Sequence, residues 1–265
     1  MNAPLLTVVT VCRNALALLR PTVESVCAQG HAELEYWIID GDSSDGTQAY
    51  LKELARGGIR VLSEPDRGIA DAMNKGIARA TGRFVAHLHA GDTYLPGTLE
   101  AVSARITEDP AAEVICGSML KREEQGEALY RCDPALLPWD MTVNHPASFV
   151  RRDVLVRLGG FDEAFPNAMD YELFLRLHQA GCRFSVLDRP LALMAGGGQS
   201  ERSLWATLGE THAVRRHLLR SGIQRSYTYL VYVYARARVR RLLQRAGLGA
   251  WVDWFRRRFV LMRKG

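Results

Sequence analysis

The sequence predicts an α/β layer protein built on a mainly parallel sheet. Short runs rich in Val and Ile alternate with stretches of helical spacing through the first 116 residues, the links between them are short, and polar turns follow the runs at their carboxyl ends. Buried strands are expected over 6–11, 35–40, 58–62, 83–89 and 113–116. Helices are expected over 21–29, 48–56, 70–80 and 99–107, with Pro21 suited to a first helical turn and Gly57 and Gly58 to a helix end. Few elements are legible over 116–146. Helices follow over 151–158 and 170–180, a short strand over 184–187, and a mobile glycine loop over 196–198.

A chain of 265 residues allows one large domain, or a domain with an appendage. The charge divides it. Residues 201–265 carry 15 Lys and Arg against 3 Asp and Glu, whereas residues 1–200 carry 19 against 26. A body of 1–200 and a basic extension of 201–265 are therefore expected. Five scattered cysteines without a CxxC pair argue for reduced thiols and against a zinc ribbon. The N-terminus lacks a basic region before its apolar run, and no later run reaches the about 18–20 residues of a spanning helix. A soluble or surface-bound protein is the expectation. GxGxxG and the phosphate-binding GxxxxGK[ST] are not found where a dehydrogenase or a P-loop enzyme needs them.

In parallel sheets the ligand crevice lies beyond the carboxyl ends of the strands, and the chemically informative residues fall there. Cys12 and Asn14 follow the first run, and IIDGDSSDGT delivers Asp40 and Asp42 after the second. Carboxylates at that place can accept from base N–H groups and ribose hydroxyls, although Asp and Ser also cap helices in ordinary turns. In EPDRGIADAMNKG, Arg67 suits a base or a diphosphate, and Asp71 and Asn74 share a helix face. FVAHLHAGDTY ends a strand in His89, Gly91 and Asp92, which places a carboxylate at the crevice floor where a hard cation needs oxygen. Read alone, Asp92 is equally a cap before Thr93, and Asp170 a cap before its helix.

Taken in order, TVVTVCRN, VESVCAQ, IIDGDSSDGT, EPDRGIADAMNKGIARATGRFV, LHAGD, NHPASFVRRDVLVRLGGFDEAF and MDYELFLRL resemble the family 2 glycosyltransferases over about residues 6–200, and within them the branch that assembles bacterial surface polysaccharides and glycolipids. The resemblance implies a GT-A fold, a nucleoside-diphosphate sugar donor, and transfer with inversion to a hydroxyl of a lipid-linked glycan or glycolipid. Asp40 matches the nucleoside-binding aspartate, Asp92 the last aspartate of the metal motif, and Asp170 the catalytic base. Arg67, Asp71 and Asn74 match the donor-side segment, and His145 the acceptor side. Mn²⁺ or Mg²⁺ is the implied cofactor, on Asp92 and with His89 as a second candidate ligand. The motif departs from the family's paired carboxylates, since His89-Ala90-Gly91-Asp92 retains one. Ser200, in a GGGQS loop, and Arg202 are expected to close over the diphosphate. QxxR without a following Trp points to single addition rather than processive synthesis.

From 235 to 246 the residues Ala235, Val239, Leu242, Leu243 and Ala246 fall on one helical arc among arginines, with Trp251, Trp254, Phe255 and Phe259 beyond. This pattern suits an interfacial helix on anionic lipid, so residues 230–265 are expected to hold the protein at the inner face of the plasma membrane. No nucleic-acid module is legible. Two rivals remain: a sugar-1-phosphate nucleotidyltransferase, whose glycine-rich loop is replaced here by TVCRN, and a sugar-nucleotide-binding subunit without turnover.

Overall fold

The computed structural model describes residues 4–123, 126–195 and 204–248. The chain forms two compact units, Met1–Val214 and Arg215–Gly265. In the first, β1 (Leu6–Cys12), β2 (Leu34–Asp40), β3 (Arg60–Ser63) and β4 (Phe84–His87) run parallel in the order β3-β2-β1-β4. Every residue of β1 is buried, as a central strand covered on both faces requires. Leu6 and Val8 share a core with Leu19, Val23 and Val26 of α1 (Leu16–Cys27) and with Leu99, Val102 and Ile106 of α4 (Thr98–Glu108). α3 (Ile69–Arg79) covers the opposite face. It approaches so closely that a Cβ on Gly76 would overlap the Val9 side chain. α2 (Thr47–Arg56) links β2 to β3.

Beyond β4 the sheet becomes mixed. β8 (Ser148–Arg151) pairs antiparallel with both β4 and β6 (Val114–Glu123), β6 runs parallel to β9 (Phe184–Met194), and β5 (Thr93–Tyr94) closes the edge antiparallel to β9. β7 (Gly126–Tyr130) hairpins onto β6, α5 (Arg152–Arg157) follows β8, and α6 (Met169–Gln179) precedes β9. α7 (Leu204–Leu218) comes next.

Four expectations change in detail. α1 begins at Leu16, so Pro21 lies inside the helix and not in its first turn. Its start is supported from a distance, because the Leu16 N–H donates to Asp45 Oδ2 at 3.3 Å. The illegible stretch 116–146 contains the β6–β7 hairpin, and the strand expected over 113–116 continues to Glu123. The strand expected over 184–187 continues to Met194. Pro190 is tolerated in it because the register with β6 shifts on either side of Ser118, its partner. The strand expected over 83–89 ends at His87, and His89 stands just past it.

The basic unit contains α8 (Tyr227–Arg245). Val231, Val239 and Leu242 are each more than half exposed on it. No helix among the described residues is long and apolar enough to cross a membrane. Ser200, Arg202, Trp251, Trp254, Phe255, Phe259 and the glycine loop of 196–200 lie outside the described residues.

Candidate active site

Two loops at the carboxyl ends of β1 and β2 are tied to each other. Asn14 stands at φ 49° and Asp42 at φ 60°, left-handed conformations that a side chain disfavours and that cluster at functional loops. The Asn14 N–H donates to Ser43 Oγ at 2.7 Å, and Asn14 Oδ1 accepts from the Ser44 N–H at 2.8 Å. Asp40 is wholly buried between the loops. Its carboxylate accepts from the Ser43 hydroxyl, from the Ser43 N–H at 3.1 Å, from Ser63 Oγ at 2.7 Å and from Cys12 Sγ at 3.7 Å. A carboxylate has about four acceptor positions, so Asp40 can meet a base N–H only if one serine hydroxyl turns away. Cys12 is raised well above the ordinary thiol range by burial and by Asp40, so it stays protonated. Asp42 lies on the exposed rim, where it accepts from Gln48 Nε2 at 3.1 Å.

The α3 segment is engaged elsewhere than its spacing suggests. Arg67 forms a fork onto Glu163, with Nε and Nη2 at 2.9 and 2.8 Å, and also reaches Asp71 at 2.8 Å. Asp71 accepts the Arg67 N–H, which leads in holding its carboxyl below the usual range, with Lys75 and the Arg67 charge assisting. Asn74 clamps the backbone of Phe161: Nδ2 donates to its carbonyl at 2.9 Å and Oδ1 accepts its N–H at 2.8 Å. Asn74 thus fixes the loop before α6.

The second centre lies beyond β4. Gly91, at φ 107°, donates its N–H to Leu18 O at 3.1 Å and to Thr22 Oγ1 at 2.9 Å, which sets the turn that presents Asp92. Asp92 Oδ1 accepts from the Ala195 N–H at 3.0 Å. Burial pushes the Asp92 carboxyl up to about 6 against that hydrogen bond, and the nearby Asp170 charge adds to the rise. His87 and His145 stack, and His89 lies tilted against His145. The His145 ring centroid is 5.8 Å from that of His87 and 5.1 Å from that of His89, with Phe161 edge-on to both His87 and His145. Burial lowers His89 and His145 to about 4, and His87 well below its usual value, so all three are neutral at pH 7. Asp170, the second residue of α6, places Oδ2 3.6 Å from His145 Nδ1. Its Oδ1 is shut from bulk solvent and accepts no hydrogen bond, and burial pushes the carboxyl up to about 6. A partly buried carboxylate with an oxygen to spare is suited to take a proton near neutral pH.

Asp92, His89, His145 and Asp170 are therefore gathered into one cluster. Asp40 stands at the end of β2, separated from β4 by β1 alone, about 10 Å across the sheet at the usual strand spacing. Among the described residues no three His, Cys, Asp or Glu side chains are arranged to hold a metal ion. With Oδ1 of Asp92 taken by Ala195, Oδ2 is the carboxylate oxygen left to a cation. This donor set fits a cation that brings most of its shell on a nucleotide's phosphates, and does not fit an all-protein cage.

Several contributors were missed. His87 is one of them: it stands two residues before His89, the strand period, and that spacing is visible in VAHLH. Phe161 and Glu163 lie in the GGFDEAF segment, where the resemblance gives them no role, and Ala195 carries no local signal.

A family model described as "Glycosyl transferase family 2" matches residues 7–169. An "uncharacterized glycosyltransferase" of Mycobacterium tuberculosis is 35% identical over 182 residues, which cover 66% of this chain and 69% of that protein. The "O-antigen biosynthesis protein RfbC" of Myxococcus xanthus is 31% identical over 236 residues, 83% of this chain and 18% of that protein. Among solved structures, S. aureus TarS 1–349 in complex with UDP-GlcNAc superposes with a TM-score of 0.67 at 17% identity, covering 83% of this chain and 68% of that one. The mannosyltransferase PcManGT from Pyrobaculum calidifontis, in complex with GDP-Man and Mn²⁺, gives 0.65 at 20% identity, covering 83% and 66%.

Proposed function

Because the chain belongs to glycosyl transferase family 2, we propose that it moves a sugar, with inversion, from a nucleoside-diphosphate sugar onto a hydroxyl of a lipid-linked glycan or glycolipid during assembly of a bacterial surface glycan. It is a glycosyltransferase with the GT-A fold, which sets aside the nucleotidyltransferase alternative.

One observation carries the reading: Asp170 holds an unpartnered carboxylate oxygen beside Asp92 in a histidine-walled cluster. The acceptor hydroxyl hydrogen-bonds to the solvent-facing side of the Asp170 carboxylate, whose side chain is 35% exposed, and gives up its proton there as its oxygen attacks the anomeric carbon. With its carboxyl at about 6, Asp170 is mostly ionised at pH 7 yet still basic enough to take the proton. His145 is neutral at that pH, so it leaves the charge of the carboxylate unpaired. The nucleoside lies against the loops of Cys12, Asn14, Asp40 and Asp42, with Asp40 serving through the serines it holds. Asp71 and Arg67, bridged to Glu163, border the donor from α3, and Asn74 acts by fixing the Phe161 loop. Asp92 Oδ2 would hold Mn²⁺ or Mg²⁺, with His89 beside it, and the cation would neutralise charge growing on the departing diphosphate. Ser200 and Arg202 are assigned to the same diphosphate.

Asp170→Asn tests the reading. It keeps the shape and removes the base, and should lower nucleoside diphosphate release by about 10²–10⁴-fold with nucleotide affinity retained. Near-normal turnover would exclude Asp170 as base, and nucleotide binding without any turnover in the wild type would favour the non-catalytic subunit.

The basic unit is assigned to the anionic inner face of the plasma membrane, supported by the exposed Val231, Val239 and Leu242 on an arginine-rich α8. Val239→Ser with Leu242→Ser should weaken binding to phosphatidylglycerol vesicles; unchanged binding rejects the assignment.

A further inference from the structure

Asp170 has little of its own to hold it. Its carboxylate makes no hydrogen bond, and the His145 ring stands 3.6 Å from Oδ2. Its place is therefore set by the backbone at the start of α6. That start lacks a cap of its own, because Ala168 stands at the N-cap position and has no side chain able to accept.

An acceptor for the amides just before the helix comes from α7. Glu210 Oε2 accepts the N–H of Asn167 at 2.7 Å and of Ala168 at 3.0 Å, and Oε1 accepts Asn167 Nδ2 at 2.6 Å. The Ala168 N–H is shared with Phe165 O at 3.1 Å, so the carboxylate also fixes the turn that leads into the helix. One side chain, about forty residues away in sequence, thus holds both amides that precede the helix bearing the base. A negative group there also complements the helix dipole.

We propose that Glu210 is a positioning residue that sets the Asp170 carboxylate against the acceptor hydroxyl, a role that rests on Asp170 being the base. Glu210 does not touch the reacting atoms. Its effect should fall on turnover and pass through Asp170, since a misplacement of about 1 Å at a reacting group can cost about 10²-fold.

A double-mutant cycle separates this from simple helix capping. Turnover is read as nucleoside diphosphate release from a panel of UDP- and GDP-sugars with Mn²⁺, using the sugar that the wild type turns over fastest. Affinity is read with UDP or GDP and Mn²⁺. Glu210→Ala should lower turnover about 10–100-fold while nucleotide affinity stays within about twofold. Glu210→Gln, which keeps one acceptor oxygen, should lose less than about tenfold. In an Asp170→Asn background, Glu210→Ala should cost less than about threefold. An equal cost in both backgrounds, or a parallel fall in nucleotide affinity, would overturn the role of Glu210 and leave Asp170 as the base. Near-wild-type turnover in Asp170→Asn alone would instead remove the base assignment, whatever Glu210 does. Should the alanine variant not fold, the glutamine variant carries the same comparison.

Discussion

Asp92 is held in a state that opposes folding, and neutralising it should stabilise the protein. Its side chain is 6% exposed, and burial is the largest cause of its carboxyl rising from 3.8 to about 6. A group whose proton is held more tightly in the folded protein stabilises the fold below the unfolded value and loses that contribution as pH climbs to the folded one. Between about pH 4 and 6 the folded protein thus loses stability through Asp92, and above 6 the loss is complete. Two units correspond to about 3 kcal/mol, a ceiling that relaxation of the site reduces. Asp92→Asn keeps an oxygen for the Ala195 N–H and removes the charge. Measured without metal at pH 8, it should raise Tm by about 3–10 °C, at about 2–4 °C per kcal/mol for a domain of this size. The gap should shrink as pH falls from 6 to 4. A variant that is less stable at pH 8, or a gap that ignores pH, would refute the claim that Asp92 is an uncompensated buried charge.

Two further outcomes follow from the same geometry. The acid limb of the pH–rate profile should break near pH 6, where Asp170 gains its proton, and a profile flat from pH 7 down to 4.5 would contradict the environment assigned to it. Gly76→Ala should destabilise the fold by about 1–3 kcal/mol in denaturant unfolding, because its Cβ would overlap Val9 where α3 meets β1. Adding Val9→Ala should recover part of that loss, and the absence of any recovery would place the strain elsewhere.

The parallel half of the fold was legible because its signals are local: each buried run and the helix after it lie within about thirty residues, as in β1, α1 and β2. The misplaced start of α1 has a non-local cause, since its cap is Asp45 from the next loop. β9 runs on past Leu187 through Pro190, and only the register shift opposite Ser118 shows why a proline is tolerated there. Residue type and place single out Asp92, and the family resemblance singles out His145 and Asp170; the three do come together. Neither signal reveals direction. Asp40 turns into its own loop, whereas Asn74 turns toward Phe161 and Arg67 onto Glu163, partners supplied by a distant segment. Glu210 shows the same limit: nothing near it in sequence marks it as the cap of α6.

In a direct displacement one carboxylate, Asp170, activates the acceptor oxygen, and the anomeric centre inverts. The anomeric configuration of the product, followed by proton NMR from an α-linked nucleoside-diphosphate sugar before mutarotation, tests it most directly. A β-configured product is predicted. An α-configured product would mean retention, and a single base at Asp170 could not account for it.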